Sequence, residues 1–199
     1  MGARLEPIEK PGGLKMRVVY WMMRRKFGKV MTPLKVVTAR IPGSLGLNRK
    51  FQKFHANGIQ LEPELKLMVG TLTSEINGCG FCVDLAQSEA VRENLGIEKM
   101  NALVEYQTSP LFSGRERAAL AYAEEVTRHK NVSDATFEEL RKHFTDREIV
   151  EITWVNAFQN YTNLVNIPLE IESDGLCAIA QSETGMDHDE RTPVQNVQE

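Results

Sequence analysis

Two thiols at Cys79 and Cys82, one helical turn apart and directly after the turn dipeptide Asn77-Gly78, are the residues of this chain best placed to do chemistry. Asn-Gly closes one element. The apolar spacing of Phe81, Val83, Leu85, Ala86, Ala90 and Val91 opens another that runs to Gly96, so both cysteines are expected in the first turn of a helix. There the exposed backbone N–H groups and the positive end of the helix dipole favour a thiolate over a thiol. The thiolate is the nucleophile, and its pKa falls below the ordinary ~8.5 in such surroundings. The alternative is a pair of small buried hydrophobes, because free cysteine is among the most buried residue types. A structural zinc site wants four ligands. No second Cys pair exists: Cys177 stands by itself near the C-terminus, and His55, His129, His143 and His188 are scattered. No metal and no cofactor is therefore expected.

A stripe of amides is the second unusual feature. Ile149, Ile152, Trp154, Val155, Phe158, Tyr161, Leu164 and Val165 make one segment apolar on most faces, yet Asn156, Asn160 and Asn163 recur within it at offsets of four and three. Buried amides are costly without partners. Such a stripe is either a helix–helix polar network or an amide-lined wall of the thiol pocket.

The elements that position these groups read as helices throughout. Residues 1–13, with Pro7, Pro11, Gly12 and Gly13, form an irregular leader. Met16, Val19, Tyr20, Met23 and Phe27 mark an amphipathic helix over 14–29. Its faces suit either packing, with arginines snorkelling, or a membrane surface. A short apolar segment spans 34–41, and Asn48 is expected to cap a helix bearing Phe51, Phe54 and His55 that ends at Asn57-Gly58. Pro63 suits the first turn of the next helix. A short helix is predicted over 97–106. Ser113 with Glu116, and Thr145 with Glu148, are capping boxes in which side chains satisfy each other's free backbone donors. Ser133 and Asp134 open a further helix between them. No alternating strand segment is present, so the expected fold class is all-α. Residues 14–180 are expected to form one helical domain. The polar stretch 181–199, which includes Asp187, His188 and Asp189, is expected to be a flexible tail.

At 199 residues and 42% hydrophobic content the chain supports one substantial core. No apolar run reaches the roughly 20 residues of a membrane span. With three cysteines and no signal pattern, a cytoplasmic protein is expected. The net charge of −3 conceals an asymmetry: residues 1–60 hold 13 basic and two acidic residues, the remainder 11 and 25. The basic arm suits the acidic body of its own or a neighbouring subunit, and no nucleic-acid motif accompanies it.

Taken in order, the stretches LEPELKLMVGTLTSEINGCGFCVDLA, SPLFSGRERAALAYAEEVTR and FEELRKHFTDREIVEITWVNAFQNYTNLVN, followed by IPL, resemble the carboxymuconolactone decarboxylase superfamily, in its alkylhydroperoxidase-D-like branch. The resemblance covers about residues 60–170. It implies an all-helical fold assembled as a trimer or hexamer. It also implies a peroxidase in which Cys79 and Cys82 reduce a hydroperoxide, close to a disulfide and are reopened by a dithiol reductant. One cysteine attacks and the other resolves the sulfenic acid; proximity to the family's relay positions favours Cys82 as the attacker. The relay itself, a glutamate and a histidine, falls on Leu67 and Ala86 here. Glu75, Asp84 and His55 are the candidate substitutes. Two other functions remain open: a redox-sensing or binding protein without turnover, suggested by the missing relay, and a lactone decarboxylase-type lyase, suggested by superfamily membership.

Overall fold

The computed structural model describes residues 2–185, which hold nine α-helices and no strand. They are α1 (Leu14–Phe27), α2 (Ser44–Asn57), α3 (Pro63–Asn77), α4 (Gly80–Glu93), α5 (Ile97–Asn101), α6 (Gly114–His129), α7 (Asp134–Arg141), α8 (Asp146–Asn166) and α9 (Leu176–Thr184). A π-helical turn at Leu34–Thr38 and 3-10 turns at Leu103–Glu105 and Ile167–Leu169 fill the connections.

Local chemistry sets most of the boundaries. Pro63 occupies the first turn of α3, where its missing N–H costs nothing. Both capping boxes form in full, at Ser113 with Glu116 and at Thr145 with Glu148, and Ser133 accepts the Thr136 N–H. Several boundaries differ from the sequence reading: α1 ends at Phe27 and not at 29, and α4 at Glu93 and not at Gly96. α2 begins at Ser44, so Asn48 lies inside it and is not its cap. The helix expected over 97–106 breaks at Ala102, whose φ of −94° and ψ of 4° end α5 before the 3-10 turn. Residues 181–184 belong to α9 and not to a tail, and the stretch from residue 186, with Asp187, His188 and Asp189, lies outside the described residues.

The main core lies among α3, α6 and α8, where Val69, Leu120, Leu140 and Ile152 are sealed from solvent. Each such side chain stabilises the fold by about 1.5–3 kcal/mol. α4 packs against one flank of α3 and carries α9 on its outer side. The leader crosses this flank: the Arg4 N–H donates to the Leu169 carbonyl at 2.9 Å and its guanidinium pairs with Glu170 at 2.8 Å. Lys29 pairs with Asp174 at 3.0 Å. The basic arm therefore meets the acidic body of its own chain at these two pairs. No helix among the described residues is long and apolar enough to cross a membrane.

Candidate active site

α3 ends on Gly78 in the left-handed region, φ 73°, where its N–H bonds the Glu75 carbonyl at 3.0 Å. The reversal brings the Cys79 N–H onto the Ser74 carbonyl at 2.9 Å and makes Cys79 the N-cap of α4. Cys82 follows in the first turn, and the two sulfurs are joined as a disulfide with a Cα–Cα separation of 5.3 Å.

Around the disulfide lies a small apolar cluster of Val36, Phe81, Ile171 and Leu176, separate from the main core. Cys79 is 1% exposed and Cys82 6%. A depression of about 420 Å³ opens over Cys79, walled by Ser74, Glu75, Asp84, Gln87, Ser173 and Cys177 among others. Cys82 points elsewhere, toward the last turn of α8, where the Asn166 amide nitrogen lies 3.4 Å from its sulfur. That donor favours a thiolate at Cys82 once the disulfide opens.

The three candidate acid–base groups have separate fates. Glu75 borders the depression, and partial burial pushes its carboxyl above the usual carboxylate value. Asp84 is buried and holds backbone: its Oδ2 accepts the N–H groups of Asp174 and Leu176 at 3.0 and 2.9 Å, and its Oδ1 that of Cys177 at 2.8 Å. It serves as the N-terminal cap of α9. His55 does not line the depression; it lies in α2 with its ring 6.2 Å from Phe158, its pKa lowered by burial and by the Lys66 charge. Leu67, at one relay position, packs against the main core, and Ala86, at the other, lies half-buried on α4.

The amide stripe is a network between helices of one chain. The Asn156 amide donates to Thr73 Oγ1, Thr127 Oγ1 and the Ala123 carbonyl, tying α8 to α3 and α6. Asn160 donates to the Asn156 carbonyl and accepts from Asn77 at 2.9 Å. Asn163 donates to Ser74 Oγ at 3.1 Å, while its side-chain amide oxygen is buried without a donor among the described residues. Asn166, one step further along the same stripe, is the member that reaches sulfur. The stripe evident in the sequence at Asn156, Asn160 and Asn163 continues at an offset of three to Asn166. Among the described residues no group of three or more His, Cys, Asp and Glu is arranged to hold a metal ion.

No protein-family profile matches the chain. The chain is 30% identical to the uncharacterized protein YnjA of Escherichia coli K12 over 170 residues, 84% of this chain and 93% of that one. Its fold is similar to that of ATU0492 of Agrobacterium tumefaciens, a protein of unknown function suggested to be the antioxidant defence protein AhpD. The two are 28% identical with a TM-score of 0.64, over 69% of this chain and 96% of that one. A peroxidase-related protein from Silicibacter sp. TM1040 superposes with a TM-score of 0.73 at 24% identity, over 85% and 90% of the two chains. The chain belongs to the carboxymuconolactone decarboxylase superfamily, in its alkylhydroperoxidase-D-like branch. The fold of that branch extends to other chemistry: the debrominase Bmp8 superposes with a TM-score of 0.72 at 20% identity, over 89% of this chain and 96% of that one. Within this AhpD-like fold, the cysteine pair at the start of α4 is the feature on which a redox reading rests.

Proposed function

We propose that this protein is a thiol-dependent oxidoreductase that reduces hydroperoxides through a Cys79/Cys82 dithiol–disulfide cycle. The observation that carries this reading is a disulfide at a helix start, bordered by a solvent-connected depression and backed by an amide donor at Cys82.

In the reduced protein, Cys82 is the attacking thiolate. Its place in the first turn of α4 and the Asn166 N–H both favour the anion. Sulfur bonds the terminal peroxide oxygen, the O–O bond breaks, and the alkoxide leaves as an alcohol after taking a proton. Cys82 is then a sulfenic acid. Cys79 attacks its sulfur, the S–O bond breaks, hydroxide departs as water, and the disulfide is formed. A dithiol reductant supplies two electrons and two protons to reopen it. Glu75 is the candidate proton donor, because it lines the depression that opens over Cys79. We further propose a homo-oligomer, trimer or hexamer, working in the reducing cytoplasm with no bound cofactor.

Leu67 and Ala86 stand where the family carries its relay, and each such acid or base contributes about 10²–10⁴ in rate. A redox sensor that closes its disulfide once is therefore the second reading. Hydroperoxide consumption with excess dithiothreitol separates the two. The peroxidase reading expects many turnovers per chain and their loss in Cys82→Ser. Stoichiometric disulfide formation without turnover establishes the sensor, and consumption of a lactone acid by a variant lacking both cysteines establishes the lyase.

A further inference from the structure

We propose that Cys177 is a third redox thiol of this site, the one through which the Cys79–Cys82 disulfide is opened by exchange. The proposal rests on the dithiol cycle above and extends it to the route by which electrons enter.

Three observations meet at this residue. Cys177 borders the same depression as Cys79 and stands outside the disulfide. It is half-buried, whereas Cys79 and Cys82 are 1% and 6% exposed. An external reductant therefore has easier access to Cys177 than to either sulfur of the pair. Its position is also held from the cysteine helix itself. Asp84, two residues beyond Cys82, fixes the first turn of α9 through the N–H groups of Asp174, Leu176 and Cys177. Asp174 in turn accepts from the Thr32 N–H at 2.7 Å and from Thr32 Oγ1 at 2.9 Å. The segment bearing Cys177 is thus tied down at both ends of a short span, facing the depression.

The exchange balances without an added oxidant. The Cys177 thiolate attacks the sulfur of Cys79, the member of the pair that lines the depression. A Cys79–Cys177 bond forms, the Cys79–Cys82 bond breaks, and Cys82 leaves as a thiolate beside the Asn166 N–H. Glu75, on the same rim, can carry the proton released by Cys177. An external dithiol then attacks Cys177 sulfur, displaces Cys79 as a thiolate, and closes on itself to free Cys177. The net result is one reductant disulfide and a reduced Cys79/Cys82 pair.

The test needs no peroxide. Oxidised full-length protein is held with N-ethylmaleimide, digested without reductant and mapped by mass spectrometry. Exchange exposes Cys82, so the expected result is label accumulating on Cys82 together with a Cys79–Cys177 peptide, both lost in Cys177→Ser. Label confined to Cys177, with the Cys79–Cys82 peptide intact, overturns the proposal. As a second arm, Cys82→Ser oxidised with diamide in dilute solution must yield an intramolecular Cys79–Cys177 bond. Recovery of both as thiols, or only as disulfide-linked dimers, overturns the proposal too. The two readings fail separately: exchange without peroxide turnover keeps this role and removes the peroxidase, while turnover without exchange does the reverse.

Discussion

The two flanks of α3 are held by the same forces in different proportion. On one side, α6 and α8 bury a large set of apolar side chains, with amides and hydroxyls that satisfy one another inside the core, as Asn156 does with Thr73 and Thr127, and with one buried carboxylate, Glu151, that accepts the N–H groups of Gln60 and Leu61. On the other, α4 and α9 enclose a cluster of only six buried residues, two of them the cysteines. That flank relies on carboxylates gripping backbone: Asp84 on the start of α9 and Asp174 on Thr32. Dispersion and hydrophobic burial are nondirectional and resist any loss of volume. Charge-assisted hydrogen bonds are directional and few, so they fix where particular atoms lie while little else is packed around them. The cysteine pair thus sits within a small cluster separate from the main core.

Truncating each flank at its strongest point is the sharpest way to break this contrast. Ile152→Ala, at a fully buried position in the main core, is expected to cost about 2–5 kcal/mol in chemical denaturation. It should leave the redox potential of the Cys79/Cys82 pair unchanged. Asp84→Ala removes three backbone hydrogen bonds and is expected to cost about 2 kcal/mol, in the range of a lost helix cap. Its signature is local: faster amide exchange and proteolysis across residues 172–184, with α3, α6 and α8 as protected as before. Equal loss of protection in both regions would show that the two flanks are one cooperative unit.

A smaller effect belongs to Asn166. Asn166→Leu removes the donor at Cys82 sulfur, so alkylation of the reduced protein at neutral pH should slow. Asn156→Leu, on the same stripe but facing Thr73 and Thr127, should leave that alkylation rate unchanged while lowering stability. An equal effect of the two on thiol reactivity would mean that the stripe acts only through the fold.

The same division governs what the sequence discloses. The capping boxes at Ser113 and Thr145, the Asn77-Gly78 turn and the first-turn placement of Cys82 depend on residues three or four apart, and all were legible, whereas Cys79, expected in the same turn, is the N-cap. Asp84 was legible as a carboxylate near Cys82, but its partners lie some 90 residues away, so nothing local distinguishes a cap for α9 from a proton donor. Cys177 read as isolated for the same reason, since its place on the depression that Cys79 also lines depends on how α9 lies over α4. Asn48 misled in the opposite sense. It has the chemistry of a cap, but α2 starts at Ser44 without any side-chain cap.

Acidification should separate the flanks by sign, with the smallest shifts of these tests. In the capping box of α8, the Thr145 N–H and hydroxyl hold Glu148 below the ordinary carboxylate value of 4.5, with Arg115 adding to the effect. A carboxyl depressed on folding contributes stability that is present above its unfolded value and lost as the pH falls through its folded one. Glu148→Gln should therefore be less stable than the native chain at neutral pH, with the difference closing below about pH 4.5. Glu75, on the cysteine flank, is shifted the other way by partial burial. Its cost to the fold is present above its raised folded value and relieved as the pH falls toward the unfolded one. Glu75→Gln should accordingly be slightly more stable at neutral pH, by an amount reduced by solvent screening at this exposed position. Thermal unfolding of the two variants across pH 3–7 should give differences of opposite sign that both shrink toward the acid end. Differences of the same sign would mean that Glu75 has gained a stabilising partner beyond what burial alone provides.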